Sequence, residues 1–141
     1  MIKEDDMRKL YIIVLCLLGM FFMISCSKKA DNSGQGKEME FTVVDDINIP
    51  DELKEIIDEK KNDAFQMTFT SGDNMYLVVG YGEQSTGGYS IKVENLCMKE
   101  DGIHLKTNLL GPDKEEKVSS KPSFPYVVVK IQTIDAEVTY E

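Results

Sequence analysis

Val78-Val79-Gly80-Tyr81-Gly82-Glu83-Gln84-Ser85-Thr86-Gly87-Gly88-Tyr89-Ser90-Ile91 carries the clearest sign of how this chain folds. An apolar run ends in glycines, a polar loop follows, and apolar–polar alternation resumes at Tyr89, the pattern of two strands joined by a loop. Gly87-Gly88 permits positive φ and lets the backbone approach a neighbour that a side chain would hold away. Spacing alone leaves two readings. In the plainer one, which spacing favours, the glycines only turn the chain. In the sharper one a rigid β scaffold presents a glycine-built loop to a partner.

Period-two alternation extends outward from this stretch on both sides. Phe65, Met67 and Phe69 alternate with Gln66, Thr68 and Thr70, and Ser71-Gly72-Asp73-Asn74 makes a turn. Met75 to Tyr81 is continuously apolar, as in a strand covered on both faces. Downstream, Tyr89, Ile91 and Val93 face one way and Ser90, Lys92 and Glu94 the other. Lys99-Glu100-Asp101-Gly102 is a hairpin signal, after which Ile103, Leu105, Thr107 and Leu109 alternate with His104, Lys106 and Asn108. That alternation predicts an exposed His104 on the polar face. Gly111 to Pro125 is aperiodic and holds three of the 4 prolines, so it reads as a long excursion, either functional or mobile. Tyr126–Ile131 and Ala136–Tyr140 read as the closing strands.

Toward the other end, Met39, Phe41 and Val43 alternate within Glu38–Asp45, which predicts a strand. Ile49 to Lys61 has a helical pattern, with Pro50 suited to the first turn and acids early, lysines late. Leu53, Ile56 and Ile57 form its apolar stripe, enough to dock one helix on a sheet. The expected fold is therefore mainly β: a small antiparallel β-sandwich or half-open barrel with one short N-terminal helix. An immunoglobulin-like arrangement is one form of it. This single β-rich domain is assigned to residues 38–141.

The bulk numbers narrow the function. The chain has 141 residues, a formal net charge of -9 and 42% hydrophobic residues, enough for one domain with a core. With no basic stripe for phosphates, nucleic acid is excluded as a partner, and adhesion to anionic lipid by charge is disfavoured. No nucleophile motif, phosphate loop or metal-ligand cluster is present, so the reading is a non-enzyme without metal or cofactor.

The beginning of the chain reads as an address. Lys3, Arg8 and Lys9 precede an unbroken apolar run from Leu10 to Ile24, with Glu4, Asp5 and Asp6 offsetting the charge. The run is shorter than the ~20 residues of a spanning helix and matches the core of a signal peptide. Met23-Ile24-Ser25-Cys26 then resembles the lipobox of bacterial lipoproteins, with Met23 in place of the usual leucine. The alternatives are an ordinary signal peptide with an incidental cysteine, or an uncleaved anchor. On the lipobox reading residues 1–25 are a lipoprotein signal peptide and Cys26 is acylated, with palmitate among its lipids. Residues 26–37 then form the lipidated cysteine and flexible tether. The expected location is the bacterial cell membrane, lipid-anchored on its extracytoplasmic face. Cys16 leaves with the signal and Cys26 is the anchor, so Cys97 is left alone and no disulfide forms within the domain. Cys97 reads as a small buried hydrophobe, well ahead of a nucleophile paired with His104.

Three segments in order resemble the C-terminal domain of the PrcB family, bacterial surface lipoproteins named for a protease-complex subunit. They are Leu77-Val78-Val79-Gly80-Tyr81-Gly82, Ser85-Thr86-Gly87-Gly88-Tyr89-Ser90-Ile91 and Pro125-Tyr126-Val127-Val128-Val129-Lys130-Ile131. The likeness runs from near Tyr76 to Ile131; the family often has proline where this chain has Ser85. The resemblance implies a non-catalytic domain that associates with, and helps mature or stabilise, a surface protease. A weaker likeness is to the chagasin-type cysteine-protease inhibitors, which present a threonine-glycine-tyrosine loop from an immunoglobulin-like fold. This chain lacks their tryptophan loop and Asn-Pro lead-in, which places inhibition behind association.

The expected function is thus a protein-interaction module, with Thr86, Gly87, Gly88, Tyr89, Pro125 and Tyr126 as the partner-binding residues. The competing expectation for these residues is that Gly87, Gly88 and Pro125 only shape turns while Tyr89 and Tyr126 pack inside. A second function class is a small-ligand or cell-wall-binding lipoprotein, for which Tyr76, Tyr81, Tyr89 and Tyr126 would build a concave aromatic cluster.

Overall fold

A computed structural model describes Met7, Lys9 and residues 36–141. Apart from Met7 and Lys9, the segment expected to be a signal peptide lies outside these described residues, as do Cys26 and most of the expected tether.

The continuously apolar stretch forms β4 (Asn74–Tyr81), and every residue from Met75 to Gly80 is buried. Alternation is missing there because both faces are covered. Before it run β1 (Lys37–Glu38), β2 (Thr42–Val43), a 3-10 turn at Asp46–Asn48, α1 (Asp51–Lys60) and β3 (Ala64–Ser71). After it come β5 (Ser90–Lys99), β6 (Gly102–Leu110), β7 (Tyr126–Gln132) and β8 (Val138–Tyr140). They form two four-stranded sheets, ordered β1-β5-β6-β8 and β2-β7-β4-β3. Neither closes into a barrel, so the sandwich form of the expected fold is the one adopted. All pairings are antiparallel except β6 with β8, which follows from the long return through β7 in the opposite sheet.

The odd-numbered side of β4 and β7 faces the other sheet. Met75, Leu77, Val79, Val127, Val129 and Ile131 pack there against Leu96, Ile103 and Leu105. The even-numbered side, with Tyr76, Val78 and Val128, packs against Ile49, Leu53 and Ile57 of the helical segment. Three layers result: helix, sheet, sheet. A ten-residue helix is marginal on its own in water. Complete burial of Leu53 and Ile57, worth about 1.5–3 kcal/mol each, is what holds it. Both lie on the predicted stripe, with Ile56 half-buried beside them.

Two local expectations are corrected. The predicted strand over Glu38–Asp45 is instead two short strands in different sheets, since β1 pairs with β5 and β2 with β7. Crossing between sheets breaks the alternation, leaving Phe41 40% and Val43 52% exposed while Met39 and Val44 turn inward. In β5, a bulge between Val93 and Asn95 shifts the pairing with β6. Simple alternation from Val93 would send Asn95 and Cys97 inward; the extra residue restores Leu96 to the core.

The second correction concerns His104, which is buried at 9% exposure. It does occupy the outward face of its sheet, opposite Cys97. That patch, however, is covered by its neighbours. Nε2 lies 2.8 Å from Asp101 Oδ1, and Nδ1 lies 2.8 Å from Glu141 Oε1 and 3.3 Å from Lys99 Nζ. Glu141 and Asp101 hold the imidazole pKa above its ordinary value, and each of those carboxyls is in turn lowered. Cys97 is buried, as expected, and accepts a contact from Asn95 Nδ2 at 3.6 Å. With both ring nitrogens engaged by carboxylates, His104 has no free nitrogen to act as a base toward Cys97.

Candidate functional site

The glycine-built loop and the aperiodic excursion turn out to be two halves of one structure. Loop Gly82–Tyr89 leaves β4, and segment Val118–Pro125 leads into β7, the strand beside it. Because β4 and β7 are paired, their adjoining loops must start side by side. Hydrogen bonds then continue the ladder beyond the sheet. Tyr81 N–H donates to Pro125 O (3.0 Å), Gln84 and Ser123 exchange bonds of 2.8 and 3.0 Å, and Gly87 N–H donates to Ser119 O (2.9 Å). Ser123 Oγ–H adds a bond of 2.6 Å to Thr86 O. On its other flank the loop is tied by Glu83 N–H to Asn62 O (3.1 Å).

Each expected binding residue has a defined place. Thr86 Oγ1 donates to Gly87 O at 3.1 Å. Gly87 has room for a β-carbon, which would sit 3.4 Å from Ser119 Cβ. Gly88, with φ +84°, has none, because Val118 and Pro112 close over it. Tyr89 is half-buried, with its ring edge beside Gly111. Pro125 contributes the carbonyl taken by Tyr81. Tyr126 turns to the helix layer and donates its hydroxyl to Asp46 Oδ1 at 2.6 Å. Burial, with the Asp46 carboxylate second, pushes that phenol far above the ordinary tyrosine range.

Thr86, Gly87, Gly88, Pro125 and the base of Tyr126 are therefore brought to one end of the sandwich, while the Tyr126 ring points to the helix. Glu83, Ser85 and Gly88 are the exposed residues of the loop. The hydroxyls of Thr86 and Ser123 both donate to carbonyls, so the loop offers a shaped surface instead of an activated nucleophile. The four tyrosines do not share a cavity. Tyr76 and Tyr126 face the helix, whereas Tyr81 faces the opposite sheet and its hydroxyl is 2.7 Å from Thr107 Oγ1.

Sequence reasoning missed Ser119, Ser123, Val118 and Pro112, the residues that fix the loop. Nothing periodic marks them. The available signal was topological: an excursion entering the strand next to the one the glycine loop leaves.

Residues 75–132 match the model of the family described as PrcB C-terminal. The matched segment runs from β4 through the end of β7 and so contains both halves of the loop structure. No curated protein and no solved structure matches the chain significantly.

Proposed function

We propose that this chain, whose residues 75–132 match the PrcB C-terminal family model, acts as a lipid-anchored extracytoplasmic protein-interaction module. In this reading Cys26 carries the anchor, and the domain associates with a surface protease and stabilises or regulates it. The observation that carries the reading is the pinning of loop 82–89 by hydrogen bonds with Ser119, Ser123 and Asn62. A loop held on two central strands loses little conformational entropy on binding, so contact at Ser85 and Gly88 is preorganised.

The test is a crosslinked pull-down of the full chain from bacterial membranes, read by mass spectrometry. A protease recovered with the native chain and lost with Ser85→Arg, at unchanged melting temperature, supports the reading. Ser85 is exposed, so its replacement leaves the packing alone. Recovery of no protein partner sinks the module and moves small-ligand or cell-wall binding forward. Cys26→Ser should release the chain from the membrane fraction; retention of that variant would refute the lipid anchor.

A further inference from the structure

The edges of the two sheets are guarded unequally. β1 and β2 are two residues each and β8 is three. The part of β5 that runs past β1 carries the bulge after Val93 and exposes Lys92 and Glu94. Short length, bulges and charges are the usual protections of an edge. β3 has none of them. It is eight residues long, pairs with β4 without interruption, and contains no proline. It also carries no charge in a chain of which 29% is Asp, Glu, Lys or Arg.

The hydrogen-bond direction along β3 is fixed by its neighbours. Tyr81 N–H bonds Pro125 O and Thr133 N–H bonds Asp73 O, so odd-numbered residues of β4 bond toward β7. The even-numbered ones bond toward β3, where they meet Phe65, Met67, Phe69 and Ser71. Ala64, Gln66, Thr68 and Thr70 consequently turn their N–H and C=O groups outward. Among the described residues no backbone group bonds to them. Tyr140 reaches this strand from the other sheet, but its hydroxyl donates to Met67 O at 2.6 Å and meets Thr68 Oγ1 at 2.8 Å.

We propose that β3 is a dimerisation edge, on which β3 of a second copy of this chain adds as an antiparallel strand. Opposed residues of an antiparallel pair share a face, so the two-fold register places Met67 opposite Met67 of the second copy. Phe65 then faces Phe69, Gln66 faces Thr68, and Ala64 faces Thr70. The outward groups of Gln66, Thr68, Ala64 and Thr70 supply the new ladder. The apolar face joins Phe65, Met67 and Phe69 of each copy into one strip, over the helix layer they already cover. A second copy suits this edge better than a charged segment because no charge on β3 awaits a partner. Two-fold pairing also consumes both exposed edges and therefore stops at two copies. The chain's net charge of -9 opposes self-association, so the dimer fraction should rise with salt.

Met67 on the two-fold is a non-hydrogen-bonded pair, the closer of the two kinds. Met67→Cys in the full chain, expressed in bacterial cells and oxidised, should give a disulfide-linked dimer on a non-reducing gel. Thr70→Cys, which faces Ala64 of the second copy, should give no more dimer than the native chain. Gln66→Lys, which puts a cation on the edge without touching the bonds to β4, should make the detergent-solubilised chain monomeric by light scattering. Its melting temperature should be unchanged at low concentration. Failure of Met67→Cys to crosslink, equal crosslinking through Thr70→Cys, or a dimer that survives Gln66→Lys would each overturn the proposal. Capture of only a different protein through Met67→Cys would overturn it as well.

Discussion

Gly88 lies directly beneath Val118 with φ at +84°, and a β-carbon there would also stand 2.8 Å from Pro112 Cβ. Its neighbour Gly87 has ordinary φ and 3.4 Å of clearance. Two adjacent glycines thus serve different ends. One is required by backbone conformation and close approach; the other supplies an amide to Ser119 and tolerates a methyl.

Gly88→Ala should therefore destabilise by about 1–2 kcal/mol from the left-handed backbone alone, with a further cost for displacing Val118. Gly87→Ala should cost less than about 1 kcal/mol. Thermal melting separates them, since 1 kcal/mol moves the midpoint of a domain this size by ~4–8 °C. Equal effects would mean the loop is not packed against the 118–125 segment as described.

The ion cluster around His104 predicts how stability varies with pH. Both Asp101 and Glu141 favour the imidazolium, opposed by burial and by Lys99, and the net shift is upward from 6.5. A raised histidine pKa contributes stability that is complete below the unfolded value and lost as pH rises through the folded one. Asp101 and Glu141 are lowered from 3.8 and 4.5, so their contribution is present above those values and lost as pH falls through the folded ones. Urea midpoints should accordingly be highest between about pH 5 and 6.5 and decline toward pH 9. His104→Gln should flatten the alkaline decline. A midpoint that rises between pH 6.5 and 9 in the native chain would refute the assignment.

The layers of this fold were legible where burial follows one period. β3, β4, β6, β7 and the Leu53–Ile57 stripe could be read from alternation or from its absence. Misreadings arose where tertiary pairing overrides the period. The sheet crossing between Glu38 and Thr42 exposes Phe41 and Val43; in β5 the alternation read through Val93 holds, and the bulge there only shifts the phase beyond it. His104 sits on the outward face as alternation demands, yet is covered by Asp101, Lys99 and Glu141, which local sequence does not place together. At the candidate site, the glycines were visible but their partners were not. Ser123 meets Thr86 across 37 residues, a separation set only by the pairing of β4 with β7.

Gly80 and Phe65 give the sharpest test of the helix-facing layer. They are opposed across β3 and β4, and a β-carbon at Gly80 would fall within the Phe65 ring's contact distance, 2.6 Å from Cδ1. A glycine inside a strand normally weakens it by roughly 0.5–1 kcal/mol relative to alanine. Here it is retained because the aromatic ring covers the bare backbone. Gly80→Ala alone should destabilise by about 1–3 kcal/mol, since the ring must leave its place. In a Phe65→Ala background the obstruction is gone and the same substitution should be neutral or stabilising. The two effects must therefore differ in size or sign, with a coupling of about 0.5–3 kcal/mol measured by a double-mutant cycle in urea. Additive effects would mean that Phe65 does not lie over Gly80, and with that the packing of β3 against the helix layer would have to be redrawn.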